Sequence, residues 1–357
     1  MDGEIIVVDN NSADDSCEMM KQRFPNVKLI ENPYNLGFPK GNNIGVAEAK
    51  GEYICILNPD TVVAEDTFEK VLAFAQSKSD LGIVGCKLID GTGNFLPECK
   101  RGVPTPWVAF TKIFGLYHFF PKSNLFNQYY AQHLTENQTG KVDILVGAFM
   151  VMKRNLYLEV GGFDENCFMY SDDIDLSYMV LKTGKSNYYF HETSVIHYKG
   201  ESTVRDGTYM KRFREAMQFF YKKHFGGSVI FDVFMRLGSF FFALVKKSQA
   251  KQIVLNIREY LLFSTNENLK NKLETHLQKN VSQIVNIDEN ALFSQSNSKE
   301  ASIEILLDNS SFSFKEIIAF LERNKNSKYT FKIIPEKASF LIGSNSSNDR
   351  GEIIKIE

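Results

Sequence analysis

The chain has 357 residues, of which 43% are hydrophobic and 24% charged, and its formal net charge is −2 at pH 7. This composition is ordinary for a globular protein, and the length is sufficient for two domains. Because acidic and basic residues nearly balance, the sequence gives no sign of a nucleic-acid partner.

The first predicted element is a buried strand at residues 5–9 (IIVVD), followed by the turn-forming segment NNSADDS. The few residues before it are acidic, so no signal peptide is expected. Ligands bind at the carboxyl ends of parallel strands, which makes the terminal acid a candidate contact. The next segment, NPYNLGFPKGNNIG, predicts a loop whose backbone N–H groups meet a nucleotide, leading into a helix around residues 44–49. Taken alone this glycine pattern is weak, since many such connections carry Gly and Asn.

A second buried strand is predicted at residues 52–57 (EYICIL), and it runs directly into Asn58-Pro59-Asp60-Thr61. An acid directly after an apolar strand is well placed to hold a metal bound to a diphosphate. A plain Pro-Asp turn is the alternative interpretation.

Residues 97–137 lack strand alternation, are rich in aromatic and basic residues, and contain the single tryptophan, Trp107. Aromatic side chains suit stacking on sugar rings and contact with a lipid tail. A helical subdomain with its own small core is equally consistent with this segment, and the two interpretations are compatible.

The segment 164–202 is the most informative. An acidic helix start (Asp172, Asp173, Asp175) precedes an amphipathic helix that should stop near Gly184, and His197 follows at a strand end. A carboxylate that takes a proton and an imidazole that holds a divalent metal are what group transfer from a phosphorylated donor requires. Helix capping and the helix dipole alone would also favour Asp at this position. Clustering of the three acids should raise at least one pKa by repulsion between like charges.

Residues 208–225 predict a basic amphipathic helix, which Gly226 and Gly227 break. The following apolar run contains Asp232 and Arg236, and two charges near the middle of a span would be costly in hydrocarbon. An interfacial amphipathic segment over 226–257 fits better than a transmembrane helix. A helix packed on the preceding domain is the alternative.

From residue 258 the order of elements predicts a small α/β domain with a mainly parallel sheet. It lacks a Gly-rich phosphate loop and a convincing acid, base or metal cluster, so an accessory or interaction module is expected. The predicted strands are 260–264, 282–287, 301–307, 329–334 and 339–342, and the predicted helices are 268–279 and 313–324.

Seven motifs in order carry a resemblance: VVDNNS, NLGFPKGNN, ILNPD, VGAFMVMKR, GGFDE, YSDDIDLS and VIHYKGES. Over about residues 3–226 the chain resembles the family 2 inverting glycosyltransferases of the GT-A fold, in the rhamnosyltransferase-like branch where NPD replaces DxD. The resemblance implies an α/β, Rossmann-like mixed sheet at residues 1–225, followed by the segment 226–257 and the C-terminal α/β domain 258–357. It also implies inverting transfer of a sugar, from a dTDP-rhamnose-like or UDP-sugar donor, to a hydroxyl of a glycan or lipid-linked acceptor in bacterial surface polysaccharide synthesis.

By the same resemblance, Asp173 matches the catalytic base, and Asp60 and His197 match a divalent metal site for Mg²⁺ or Mn²⁺. Asp172 stands where the family usually has Glu. Trp107 and Ala148 would lie on the acceptor side. The nucleotide-sugar contacts would be Asp9, Asn11, Gly37, Lys40, Asn43, Asn58, Gly147 and Asp172.

This chemistry is coherent from the residue types alone. A divalent ion would offset the charge of the leaving diphosphate, and a base that takes the acceptor's proton contributes roughly 100- to 10,000-fold. One carboxylate suffices for inversion, whereas double displacement would need a second one as nucleophile.

The sequence departs from the family at its beginning, where a strand and a helix normally precede VVDNNS. The strand at 5–9 is therefore expected to lack one neighbour, and a truncated start is expected. This favours an alternative function, a catalytically silent sugar-nucleotide-binding or scaffold subunit. A metal-dependent phosphohydrolase would need a His-rich metal constellation that the sequence lacks. Five cysteines without paired spacing fit the cytoplasm, and peripheral contact with the cytoplasmic face of the inner membrane is a further expectation.

Overall fold

The computed structural model describes residues 2–113, 115–119, 123, 125–167, 170–199, 207–226, 257–287, 302–325, 328–345 and 351–356. Most of the predicted interfacial segment, residues 227–256, lies outside the described residues. In the described part of the chain, no helix is both long and apolar enough to cross a bilayer.

The N-terminal half alternates short strands and helices. Its helices are α1 (Ser16–Arg23), α2 (Phe38–Glu48), α3 (Thr67–Gln76), α4 (Pro106–Ile113), α5 (Leu116–Phe119), α6 (Arg154–Glu159), α7 (Asp172–Lys182) and α8 (Gly207–Phe225). Its strands are β1 (Ile6–Asp9), β2 (Lys28–Glu31), β3 (Tyr53–Leu57), β4 (Thr61–Val63), β5 (Leu81–Ile89), β6 (Lys100–Arg101), β7 (Gly140–Val142), β8 (Ile144–Leu145), β9 (Phe149–Lys153) and β10 (Ser186–His197).

The central sheet is mixed and has the strand order β3-β9-β5-β10-β4, with β7 pairing on β10. Only β5 and β10 run parallel to each other; the other pairs are antiparallel. All nine residues of β5 are buried, as expected for a strand covered on both faces. The predicted core positions Met150 and Met152 of β9 are indeed buried in this sheet.

The strand β1 belongs to a separate two-stranded parallel sheet with β2. Among the described residues β1 forms a ladder with β2 alone, which agrees with the prediction that it lacks one neighbour. The helix after β2 begins at Phe38, earlier than the predicted 44–49. Gly37, with φ of +82°, starts it, and Pro39 in its first turn has the fixed φ that a helix start favours.

The basic amphipathic helix forms as predicted and ends before Gly226. Its apolar side packs Met217, Phe220 and Tyr221 against Ile144 and Ile174 of the preceding domain.

The C-terminal domain contains a six-stranded sheet of order β12-β11-β13-β14-β15-β16, close to the predicted bounds. Its first four strands are parallel and the last two antiparallel. The final strand was not predicted. The elements are β11 (Ile257–Phe263), α9 (Glu267–Leu277), β12 (Val281–Ile284), β13 (Ser302–Asp308), α10 (Phe314–Asn324), β14 (Tyr329–Ile334), β15 (Phe340–Ser344) and β16 (Glu352–Lys355).

The two domains share a hydrophobic core. One face of α10 is buried together with side chains of the central sheet and its following loops. The N-terminal contributors are Ala64, Ile89, Ile196 and Tyr198, and those of α10 are Ile317, Ile318, Phe320 and Leu321.

Candidate active site at the strand ends

A carboxylate and an imidazole meet where β4 and β10 lie side by side. The antiparallel register places His197 opposite Thr61, so its ring reaches back to the turn before β4. His197 Nε2 lies 3.3 Å from Asp60 Oδ1 and 3.4 Å from Asn58 Nδ2. The turn is fixed because Thr61 Oγ1 donates to the Asn58 carbonyl (2.8 Å) and the Tyr198 N–H donates to the Asp60 carbonyl (2.9 Å). The structure thus brings together all three residues that the sequence assigned to the metal and diphosphate.

The side chains of Asn58, Asp60 and His197 suit the binding of a cation whose remaining ligands come from a substrate. Asn58 Oδ1 is buried and accepts no hydrogen bond in the described part of the chain, so a polar partner is needed there. No group of three His, Cys, Asp or Glu side chains suited to a metal occurs among the described residues. Mg²⁺ is commonly bound by one or two carboxylates, with substrate phosphates and water supplying the remaining ligands. Asp60 and His197 could therefore be the protein ligands of such a site.

The acidic turn of α7 forms the second part of the site. Asp173 Oδ2 accepts a hydrogen bond from Arg101 Nη2 at 2.6 Å and from the Gly147 N–H at 3.2 Å. Asp172 is also buried, and burial together with the neighbouring Asp173 charge raises its pKa to about 7. This direction agrees with the raised pKa predicted for the acidic cluster, with burial as the larger cause and the like charge of Asp173 as the smaller one.

The third acid of the turn has a structural role. Asp175 is fully buried, and its Oδ2 lies 2.8 Å from Lys223 Nζ while its Oδ1 lies 2.5 Å from His224 Nε2. Both partners belong to the last turn of α8. Lys223 also pairs with Asp164 at 2.7 Å, so this lysine ties α8 to α7 and to the loop before it.

One short segment connects the two parts. The Ala148 carbonyl accepts the Asn58 N–H at 3.1 Å, while the preceding Gly147 N–H binds Asp173. A Cβ placed on Gly147 would lie 3.5 Å from both Asp173 Cβ and the Phe38 ring. These are ordinary contact distances within the protein. The arrangement does bring the start of α2 to the same place.

The nucleotide loop is held in place by amide side chains. Asn10 Nδ2 donates to the Gly37 carbonyl at 3.0 Å, and Asn10 Oδ1 accepts from Asn32 at 2.9 Å. This links the carboxyl ends of β1 and β2 to the start of α2. The carboxylate of Asp9 accepts hydrogen bonds from the Ser12 N–H and hydroxyl. Burial alone would raise the pKa of Asp9, but these hydrogen bonds outweigh it and lower the pKa.

Two predicted contacts need correction. The Asn43 amide is used within the protein: Oδ1 accepts from the Tyr157 hydroxyl and the Phe163 N–H, and Nδ2 donates to the Phe163 carbonyl and to Glu165. Asn43 therefore positions the GGFDE loop and has no capacity left for a nucleotide. The methyl group of Ala148, predicted on the acceptor side, is buried in the core, so only its backbone faces the site.

Three further predicted contacts are accessible. Lys40 lies 3.8 Å from Glu165 in an exposed, weak pair, and Asn11 is exposed with φ of +63°. Trp107, on α4, is 41% exposed, and its indole N–H donates to the Leu125 carbonyl at 2.8 Å.

Sequence reasoning missed Arg101, the cation beside Asp173. It lies on β6, whose pairing with β8 brings the insertion to the acidic turn. The sequence marked the insertion as basic but offered no local signal for this pairing. Burial acts to lower the pKa of the Arg101 guanidinium. The neighbouring Asp173 carboxylate acts in the opposite direction and helps to raise that pKa above its ordinary value.

A mixed sheet with a carboxylate–imidazole pair at its strand ends and a buried carboxylate pair at the start of α7 has the residue types that group transfer from a phosphorylated donor requires. Residues 1–161 match the family described as glycosyl transferase family 2. The predicted family, the GT-A fold class and the enzyme class are thereby confirmed.

Curated relatives agree with this assignment. An N-acetylglucosaminyl-diphospho-decaprenol L-rhamnosyltransferase from Mycobacterium tuberculosis is 28% identical over 213 residues, covering 57% of this chain and 68% of the relative. Rhamnosyltransferase WbbL from Escherichia coli is 28% identical over 178 residues, covering 45% of this chain and 61% of the relative. Among solved structures, a mannosyltransferase from Pyrobaculum calidifontis in complex with GDP-Man and Mn²⁺ is similar with a TM-score of 0.42 and 15% identity, over 70% of this chain and 67% of that one.

Proposed function

We propose that this protein transfers a sugar, with inversion, from a nucleotide-sugar to a hydroxyl group of a glycan or lipid-linked acceptor. The observation that carries the proposal is the Gly147–Ala148 segment, whose two backbone bonds join the Asn58–Asp60 turn to Asp173. This segment therefore connects the candidate site for the leaving diphosphate to the candidate base. The relatives named as rhamnosyltransferases favour a dTDP-rhamnose-like donor, with a UDP-sugar as the other candidate.

On the donor side, Asp60 and His197 would hold Mg²⁺ or Mn²⁺, and such an ion would offset the charge of the leaving diphosphate. Asn58 is neutral, so its role would be to hydrogen-bond the ribose or a phosphate. The start of α2 would add backbone N–H groups, which favour anions at a helix N-terminus. Asp9, Asn11, Gly37 and Lys40 lie on or before this loop and would contact the nucleotide.

On the acceptor side, Asp173 would take the proton of the attacking hydroxyl. Both hydrogen bonds that Asp173 accepts in the described chain end on Oδ2, which leaves Oδ1 for the acceptor. Arg101 fixes the carboxylate in this orientation. Asp172 is the rival base, because its raised pKa suits proton transfer near neutral pH. Two carboxylates this close titrate as a pair, so substitution of each separately must decide between them.

The acceptor itself is a proposal from residue chemistry and from relatives. The half-exposed Trp107 offers a flat apolar face suited to a sugar ring or a lipid tail. The name of the mycobacterial relative includes a decaprenol-linked acceptor, which favours a lipid-linked glycan and work at the cytoplasmic face of the membrane.

The test is incubation of the purified protein with a lipid-linked glycan acceptor and either dTDP-rhamnose or a UDP-sugar, each with and without Mg²⁺ or Mn²⁺. We expect metal-dependent donor turnover, and NMR of the glycoside product should show the anomeric configuration opposite to that of the donor. Donor binding without turnover would favour the sugar-nucleotide-binding or scaffold alternative. Retained configuration would contradict the single-carboxylate mechanism.

A further inference from the structure

The C-terminal domain is attached to the strand pair that carries the diphosphate site. Glu65 lies two residues after β4, and its two carboxylate oxygens accept the N–H groups of Phe314 (2.7 Å) and Lys315 (3.0 Å). These are the first two residues of α10, whose N–H groups have no partner within the helix. A carboxylate at a helix N-terminus also interacts favourably with the helix dipole. The N-terminal domain thus supplies a cap for a helix of the C-terminal domain.

A second bond strengthens the same junction. Lys315 Nζ lies 2.7 Å from Asp66 Oδ2, so consecutive acids of one domain bind consecutive residues of the other. Ser313 and Glu316 form a capping box with each other at this helix start. The N–H groups of Phe314 and Lys315, between them, are left for Glu65. At the far end of α10, Glu322 pairs with Lys87 of β5 at 2.9 Å. The helix is therefore fixed to the N-terminal domain at both ends.

The alternation of side chains on β10 connects this junction to the site. Ile196 and Tyr198 are buried in the core shared with α10, and His197 lies between them in sequence. Successive side chains along an extended chain point to opposite faces, so His197 faces Asp60 while its neighbours pack on the C-terminal domain. On the β4 side of this strand pair, Val62 and Ala64 also pack against the core shared with α10.

The backbones themselves also meet closely. Gly93, in the turn after β5, has φ of +81°, and a Cβ there would lie 2.2 Å from the Leu321 carbonyl oxygen of α10. Only glycine permits both this conformation and this approach. The junction is a packed interface built into the chain.

We propose that the C-terminal domain is the support that holds the β4–β10 strand pair, and with it Asp60 and His197, in place for the donor. Glu65 is the positioning residue that couples α10 to that strand pair. The donor part of this inference rests on the proposed function, whereas the mechanical coupling does not.

The experiment compares the full-length native protein with Glu65→Ala, Glu65→Gln and the control Glu69→Ala. Glu69 is an exposed glutamate four residues further along, on the first turn of α3. Hydrogen–deuterium exchange is measured over peptides covering 57–64, 194–198 and 314–324, with 6–9 and 149–153 as internal references. Affinity for UDP and dTDP is measured with Mg²⁺ and with EDTA.

For Glu65→Ala we expect about fivefold faster exchange in 57–64 and 194–198 as well as in α10, the factor that corresponds to the usual loss of a helix cap. Nucleotide affinity should weaken by a similar factor with Mg²⁺ and stay unchanged in EDTA. Glu65→Gln should recover part of both effects, and Glu69→Ala should show neither.

Faster exchange confined to 314–324 would overturn the coupling, since α10 would then be capped without supporting the strands. Faster exchange in the strands with unchanged Mg²⁺-dependent affinity would overturn the positioning role. If the native protein binds no nucleotide at all, the proposed function fails, and the exchange result alone decides whether the support exists.

Discussion

Acidic side chains lie at the carboxyl ends of strands in both sheets, but their surroundings differ. In the C-terminal domain, Asp308 ends β13 and accepts four hydrogen bonds: Oδ1 from the Ser310 N–H and hydroxyl, and Oδ2 from the hydroxyls of Ser264 and Ser311. This carboxylate is fully used in closing two turns. It lies where the connections from β11 and β13 lead to opposite sides of the sheet, the usual place for a ligand in such folds.

In the N-terminal domain the corresponding groups keep unused capacity. Asn58 Oδ1 is buried without a hydrogen bond from the described residues, and Asp172 is held with a pKa of about 7. Buried polar groups in proteins are normally satisfied, and perturbed carboxylates concentrate at functional sites. The comparison teaches that position at a strand end is not sufficient to identify a site; unsatisfied or perturbed polar groups distinguish the ligand site from the structural turn.

The largest effect is expected from Asp173→Asn. The amide cannot accept the acceptor's proton, so transfer should fall by roughly 100- to 10,000-fold while donor affinity stays nearly unchanged. The measurement is the rate of sugar transfer at saturating donor, together with donor affinity by calorimetry. Asp308→Asn, the same change in the structural turn, is the matched control and should leave transfer intact. Retention of more than about a tenth of the native rate would exclude Asp173 as the base.

The next effect concerns the donor side of the comparison. Asp60→Ala should weaken nucleotide binding by about 10- to 100-fold with Mg²⁺, because even partners outside the first coordination shell contribute that much to metal sites. Without metal the variant and the native protein should bind equally. Titration calorimetry with UDP and dTDP, in Mg²⁺ and in EDTA, checks this. If the native affinity does not depend on metal, the assignment of Asp60 is wrong.

Much of the site could be read from the sequence because the informative residues lie in short segments with strong local signals. The strand before Asn58 and Asp60, and the acidic start of α7, follow from apolar runs and turn residues alone. His197 was placed at a strand end, and the structure brings it to Asp60.

The contacts that the sequence did not reveal depend on pairing between distant segments. Arg101 reaches Asp173 only because two two-residue strands, β6 and β8, pair with each other. Asn43 was assigned to the nucleotide because it lies in the loop motif, but its partners Tyr157 and Phe163 are more than a hundred residues away. Likewise, nothing local in α10 shows that its apolar face packs on another domain and not within its own.

The structural turn should respond through stability alone. Asp308→Ala removes the acceptor of four hydrogen bonds and leaves the buried Ser264 hydroxyl without its carboxylate partner, which should cost about 1–3 kcal/mol of unfolding free energy. Urea unfolding at pH 7 measures this loss, and nucleotide affinity of the folded variant should equal that of the native protein. A change in Mg²⁺-dependent affinity without a change in stability would mean that the C-terminal turn takes part in ligand binding, and the contrast drawn above would fail.

The smallest effect sharpens the contrast within the active site and concerns Asp172→Asn. The pKa of Asp172 in the folded protein is about 7, above the ordinary value of 3.8, because burial and the Asp173 charge disfavour the carboxylate. Between these two values the folded protein retains a proton that the unfolded chain has released. The stability that this residue contributes is therefore fully present below about pH 4 and decreases as the pH rises towards 7.

An asparagine has no such proton, so Asp172→Asn should be more stable than the native protein at pH 8, by about 1 kcal/mol or more. This advantage should shrink as the pH falls and be absent near pH 4. Urea unfolding of both proteins at several values between pH 4 and 8 measures the difference, and Asp15→Asn, an exposed aspartate before α1, provides the control. A stability difference that is the same at every pH would show that Asp172 does not titrate in this range.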